Sequence, residues 1–269
     1  MKFLFRLAGI WALLVAAPLS AARAADMELK ALPPPPCIWC GFYVGGNAGW
    51  AWGRDAISST TTFPSPPFLA IDVAAISSAP SQTLNPSGFT GGTQFGYNMQ
   101  RGQWVLGIEE DFEYLGLKGS RGGTFPFPST LPGGPIGPPT VFFSTATSVS
   151  TNWLFTARPR LGWASNNWLL FVTGGLAVGR ESFSQTIAVI PPFISSNSLA
   201  TVQVGWTVGA GVEYALNKSW SLKAEYLYVD LGTTNANSGT LTPPFAGYAN
   251  NTSARLTTSI ARGGINFHL

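Results

Sequence analysis

Nine charged residues in this 269-residue chain carry the spacing from which chemistry could be built. Glu109, Asp111 and Glu113 alternate along one segment, Arg158 and Arg160 along a second, and Lys223 and Glu225 along a third. Glu213 and Arg262 stand singly in segments of the same kind. Side chains two apart share a face only in an extended strand. Five acids and four bases on inward faces are therefore expected to meet as a ladder of ion pairs, because charges removed from water need partners. Such a ladder serves either as a structural plug or as a gate lining a narrow ion path.

Other chemistries find little support. The single histidine, His268, is the penultimate residue, and no serine or carboxylate partner for it can be named from spacing alone. A nucleophile, a base and an orienting group must all be present for triad catalysis. There is no G-x-S-x-G, P-loop or G-x-G-x-x-G motif, so no catalytic residue, cofactor site or metal site is expected. Cys37-Ile38-Trp39-Cys40 is a C-x-x-C motif, yet Pro33–Pro36 precede it and no helix N-terminus follows to activate a thiol. A local disulfide or two idle thiols are the readings left open. Fifteen Lys and Arg without a basic run leave no nucleic-acid footprint.

The elements that must position these charges are long strands. Val202 to Tyr214 places an apolar residue at every even position and Gly, Thr, Gln or Glu at every odd one. Thirteen such residues exceed the usual soluble strand and suffice to cross a bilayer, which takes about 9–11. Seven further segments read alike: 41–53, 88–99, 103–117, 151–163, 168–179, 219–231 and 255–269. Long connections near 54–87, 118–150, 180–201 and 232–254 alternate with tight turns, the plan of surface loops and periplasmic turns. Of 21 prolines only Pro159 falls within an expected strand, where a bulge or a lost ladder bond should accompany it. Glu110 points out of phase, toward lipid, and a bulge at Glu109-Glu110 or a position nearer an interface would relieve it.

Aromatic residues fall at the strand ends. Trp104, Trp163, Trp168, Tyr214, Trp220 and Phe267 are placed at one rim, and Trp50, Trp52, Tyr114, Trp153 and Tyr228 at the other. Two girdles around an apolar band mark the two water interfaces of a membrane barrel. Only 10% of residues are charged, against roughly 25% in an average soluble domain. The formal charge of +3 comes from the N-terminus. Lys2 and Arg6 precede an apolar run from Leu7 to Leu19, and Ala22-Arg23-Ala24 predicts signal-peptide cleavage between Ala24 and Ala25. The mature chain would then carry twelve bases against twelve acids.

Gly41-Phe42-Tyr43-Val44-Gly45-Gly46-Asn47-Ala48-Gly49-Trp50 resembles the first strand of the alpha-proteobacterial outer membrane immunogenic proteins, barrels of the opacity and surface-antigen type. Val172–Ala177, Gly205–Tyr214 and Leu222–Tyr228 resemble their fifth, sixth and seventh strands. Glu110 and Pro159, where the family usually has Gly, and Leu269, where Phe is usual, depart from the pattern. The C-terminal strand resembles the signal read by the barrel-assembly machinery, with Arg262, Gly264, Phe267 and Leu269 in register.

The expected fold is all-β, an eight-stranded antiparallel transmembrane up-and-down β-barrel. Residues 1–24 form a cleaved signal peptide, 25–40 a Pro-rich periplasmic tail, and 41–269 the barrel. The expected location is the cell outer membrane. The expected partners are outer-membrane lipid and lipopolysaccharide and the assembly machinery. A Pro-Pro pair in each long loop, at Pro66, Pro138, Pro191 and Pro243, stiffens it or offers a surface to an unknown partner. The resemblance implies a structural surface protein in envelope integrity and contact with the environment. A narrow porin-like channel and an adhesin-like surface binding protein are the alternatives.

Overall fold

The computed structural model of the chain describes residues 37–62, 70–128, 142–189, 193–237 and 249–269. The expected leader, its cleavage site at Ala24 and Ala25, and all four Pro-Pro pairs lie outside them. Among the described residues are nine strands and one helix: β1 Gly41–Thr62, α1 Ala70–Ser78, β2 Gln82–Leu84, β3 Ser87–Arg101, β4 Trp104–Pro126, β5 Phe142–Ser165, β6 Trp168–Val189, β7 Phe193–Ala215, β8 Trp220–Asn237 and β9 Ala249–His268. β1 pairs antiparallel with β2 and with β3, each strand from β3 onward pairs antiparallel with the next, and β1 also pairs with β9 from Tyr43↔His268 to Thr62↔Ala249. That seam closes β1 and β3–β9 into an eight-membered ring. In a bilayer this closure is obligatory, because an open edge would leave its N–H and C=O groups without partners.

The strands outrun the sequence-based boundaries. β5 is 24 residues long and β4 23, about twice a bilayer crossing. Along the outer face of β6, Leu170, Val172 and Leu176 give way to Arg180, Ser182, Ser184 and Thr186. Outward positions thus turn from apolar to polar where the barrel leaves the membrane, while the ladder continues. Much of what sequence alone assigns to loops is sheet, because inter-strand hydrogen bonds persist in water as long as inward residues stay packed. β3 begins only at Ser87, paired with Trp52, so the upper part of β1 lacks that neighbour. There β2 pairs with Asp55, Ala56 and Ile57, while Ser77 of α1 and Ser81, which follows the helix, accept hydrogen bonds from the amides of Thr61 and Ser59. The added elements satisfy an edge that would otherwise be bare.

The bulge expected at Glu110 needs correction, whereas Pro159 shows the second of its two expected outcomes, a gap in the ladder. The β3–β4 and β4–β5 registers run unbroken through Glu110, which pairs with Phe95 and Ala157 on the outer face. The shift falls at Tyr114/Leu117 instead, with others at Thr151/Leu154 and Asp230/Thr233. A bulge at Glu110 would have turned Glu109 or Asp111 out of the interior, where both are paired. Pro159 causes no shift. Its β4 side pairs normally with Ile108, while the β5–β6 pairing skips Arg158 and Pro159 and resumes in the same register. Thr173 Oγ1 donates to the Pro159 carbonyl at 2.9 Å. Pro126, expected in a loop, ends β4.

The seam depends on Gly264. A Cβ there would come within 2.8 Å of the Gly46 carbonyl, whereas at Gly263 it would meet only Lys223 O at 3.8 Å. Gly264→Val is therefore expected to deplete the folded, heat-modifiable band on unboiled gels, with Gly263→Val close to wild type. Refolding both variants into liposomes without assembly machinery attributes the loss to seam packing. Equal yields would contradict it.

Candidate functional site

The alternation of each strand sends one side-chain set inward, and eight strands leave an interior just wide enough for those side chains to fill. Positions along the strands sort this interior into layers. At the end where the tight turns lie, Trp39 packs with Val105, Ala164, Leu169, Phe171 and Ala215. The Cys37–Cys40 disulfide brackets Trp39, so the last residues of the expected tail close the barrel floor.

Above the floor lie all nine residues of the expected ladder, each no more than 6% exposed. Arg158, on β5, reaches Glu109 at 2.7 Å, Asp111 at 2.5 Å and Glu225 at 2.9 Å. Arg262, on β9, reaches Asp111 at 2.9 Å and Glu225 at 2.5 Å, and also pairs with Glu113. Lys223 contacts Glu109 at 2.5 Å and Glu225 at 3.2 Å. Arg160 bonds Glu213 at 2.9 Å, and its guanidinium lies 4.2 Å from the Phe171 ring centroid. The four cations thus cross-link β4, β5, β7, β8 and β9. Each carboxylate shares its oxygens among several donors, which is what allows charge to remain in a dry interior.

Neutral groups complete this layer. Tyr43 donates to Glu109 Oε2 at 2.7 Å and accepts from Arg160 at 2.8 Å. Thr156 donates to Asp111 at 2.7 Å, and Thr90 to Glu113 at 3.0 Å. His268, for which spacing supplied no partner, lies with Nε2 2.9 Å from Ser221 Oγ and 3.6 Å from Glu213 Oε1. Serine and carboxylate both face the same ring nitrogen, and Nδ1 has no hydrogen-bond partner. A triad needs the carboxylate on the other nitrogen and an accessible hydroxyl. Ser221 is fully buried. Tyr43 could have been found from its parity with Gly45 and Asn47. The pairing of His268 with β8 needed the ladder register.

A dry layer follows, in which Leu115, Leu117, Leu154, Leu227, Leu256 and Ile260 interlock. Above it, beyond the outer aromatic rim, Asp55 of β1 and Glu181 of β6 face inward from opposite sides of the ring. Both fall in the expected loops 54–87 and 180–201, although Asp55 continues the odd-numbered inward face of β1. Neither Asp55 oxygen has a close hydrogen-bond partner, while Glu181 accepts from Thr234 at 2.9 Å. Burial pushes the Asp55 carboxyl up to about 6, against a weak pull from the Arg255 backbone amide. Burial likewise raises Glu181 to about 7, opposed by the Thr234 hydroxyl and reinforced by the charge of Asp55. Next comes a second apolar layer containing Ile57, Leu84, Val149 and Phe183. Beyond that, Ser59 and Gln185 meet Asn250 and Thr252 in a hydrogen-bonded set.

Of the residues expected to form an assembly signal, Arg262 is inside the ionic layer and Gly264 at the seam. Phe267 and Leu269 point outward, and the Leu269 amide donates to Phe42 O at 2.9 Å. The outer face carries the aromatic rims. Trp104 packs against Trp163, Trp168 against Tyr214, and Trp220 against Phe267 at one end. Trp206, which is absent from the expected rims, packs against Tyr228 at the other.

Residues 12–255 match the outer membrane protein beta-barrel domain family. The 31 kDa outer-membrane immunogenic protein of Brucella melitensis biotype 1 is 34% identical over 224 residues, covering 80% of this chain and 83% of that protein. The 22 kDa outer membrane protein of Rhizobium leguminosarum bv. viciae is 28% identical, covering 73% and 66%. Among solved structures, the outer membrane protein OprG from Pseudomonas aeruginosa matches with a TM-score of 0.43 and 11% identity, covering 86% of this chain and 97% of that one.

Two outcomes follow from the interior. Arg158→Met removes a cation from three carboxylates, and a loss of about 3 kcal/mol or more is expected in urea unfolding from detergent or liposomes. Arg255→Met, which removes a mostly exposed guanidinium from a single carboxylate, should cost far less. The raised Asp55 and Glu181 carboxyls mean that the folded barrel holds more protons than the unfolded chain between about pH 4 and pH 7. Stability should therefore fall as pH rises through that window, and Asp55→Asn with Glu181→Gln should flatten the profile.

Proposed function

Because the chain belongs to the outer membrane protein beta-barrel domain family, and its relatives are outer-membrane proteins, we propose that it is a sealed structural barrel of the outer membrane. Its role on this reading is to hold the envelope and present its extended strands and loops to the outside, without conducting solutes or catalysing a reaction. The observation that supports the reading is the filled interior. A solute would have to pass the Trp39 floor, the ionic layer and two apolar layers. Breaking the ionic layer leaves charges unpaired in a medium that cannot solvate them. An ion path needs binding that is weak and multi-site, whereas here Arg158 alone engages three carboxylates at 2.5 to 2.9 Å. The buried Ser221–His268–Glu213 contact favours a structural role for the single histidine over catalysis.

Planar-bilayer recording tests this. Purified protein should give no stable single-channel openings, and Leu115→Ala with Leu227→Ala, which thins the dry layer, should leave it silent while the ionic layer stands. Reproducible openings in the wild type that change with Arg158→Ala or Asp111→Ala would replace this reading with a narrow channel.

A further inference from the structure

The level just above the leucine layer gathers buried oxygens that the protein leaves without partners. Asp55 of β1 and Glu181 of β6 are 0% and 1% exposed. Neither Asp55 oxygen nor Glu181 Oε1 has a close hydrogen-bond partner, and the buried hydroxyls of Thr151 and Thr258 are equally unpaired. Thr151 is the register partner of Glu181 across β5 and β6. Thr258 lies diagonal to Asp55, whose own partner on β9 is Leu256. Gln203 Nε2 donates to Thr234 Oγ1, which commits the Thr234 proton to Glu181 Oε2 and leaves Oε1 free. A buried polar group without a partner costs free energy, and here several converge.

The closed ring sets the two carboxyls face to face, since β6 stands fourth from β1 in either direction. The ladder through β5, β4 and β3 leads from Glu181 to Ala51 and Trp52. The route through Thr234 leads across Ala254 to Ile57. Strand tilt makes one route end below the true level and the other above it. Asp55, between the two, therefore stands opposite Glu181 at the same height.

Among the described residues no cationic side chain enters this level. Arg158, Arg160, Lys223 and Arg262 are engaged below the leucine layer, where Arg262 also holds Glu113. Arg54, Arg180 and Arg255 are exposed, and Asp230 is bound to Arg255 at 2.6 Å. Asp72 belongs to α1, which meets β1 at Thr61, further up the strand. What remains is a set of carboxylate and hydroxyl oxygens without nitrogen or sulfur, which suits a hard cation. Apolar layers below and above exclude a full hydration shell. Magnesium gives up its water reluctantly and demands an octahedron, whereas calcium accepts irregular sets of protein oxygens.

We propose that Asp55 and Glu181, with the hydroxyls of Thr151 and Thr258, form a site inside the upper barrel for a dehydrated divalent cation of calcium's size. The ion neutralises both carboxylates and clips β1 to β6 across the ring, as the guanidiniums cross-link strands below. Burial raises both carboxyls, to about 6 and about 7, so protons compete for the same oxygens and affinity rises with pH. The inference goes beyond the structural role proposed above and holds whether or not the interior conducts.

The test uses the full mature chain refolded in neutral detergent across a calcium series, so that entry past the upper apolar layer is not at issue. Bound metal is counted by equilibrium dialysis, and folding is verified by heat-modifiable migration. At about pH 8 one calcium per chain should bind with a Kd of about 0.1–1 mM, the range of weak extracellular sites. Magnesium should bind at least about tenfold more weakly, and at about pH 5 calcium binding should be lost. Asp55→Asn and Glu181→Gln, which keep shape and remove charge, should each weaken binding at least about tenfold. Thr151→Val, which changes no charge, should weaken it about fivefold, as expected for one neutral ligand. Asp230→Asn, an acid held outside the chamber, should leave it unchanged. No saturable calcium binding by the folded wild type, full retention in Asp55→Asn or Glu181→Gln, equal loss in Asp230→Asn, or equal affinity for magnesium would each overturn the proposal.

Discussion

Every backbone polar group in the hydrocarbon region must find its partner within the protein, and that requirement shapes the rest of this molecule. It forces β1 onto β9, and a ring of eight strands then encloses a space with no room for bulk water. Whatever the inward positions carry must be satisfied there. Charge is tolerated only because Arg158, Arg160, Lys223 and Arg262 reach across the lumen to carboxylates on facing strands. The ion pairs are a consequence of closure, and they also lock it, since each guanidinium ties together strands far apart in sequence.

The interior changes character with height. The ionic layer is densely cross-linked, whereas Asp55 and Glu181 face each other without a cation. The difference follows from location. Within the membrane an unpaired charge has no escape, but above the rim a carboxyl can take up a proton near neutral pH at modest cost. The outer surface is ordered by the same boundary. Apolar residues and aromatic rims face lipid, and the first charged residues beyond them are cations.

Much of this was legible because a strand with two different solvents on its two faces writes a period of two into the sequence. Val202–Tyr214 shows it almost without error, and the nine interior charges could be assigned to one face from parity alone. Pairing was less legible. Nothing in the spacing sets Arg158 against Glu109, Asp111 and Glu225 together, since that depends on the strand register of the closed ring. The out-of-phase Glu110 misled for a related reason. Alternation marked it as anomalous, but the bulge sits at Tyr114/Leu117, where no residue in the sequence looks out of place.

Local patterning, then, determined the strand count, the inward and outward faces, the aromatic rims and the candidate ions, since each depends only on neighbours two residues apart. The tertiary structure decided how far the strands continue past the membrane, how α1 and β2 complete the short side of β3, and which cation meets which carboxylate. It also brought His268 of β9 to Ser221 of β8 and Glu213 of β7, contacts that depend on register between strands. The physical reason is that alternation is a property of one strand in its solvent, whereas register and closure belong to the whole ring.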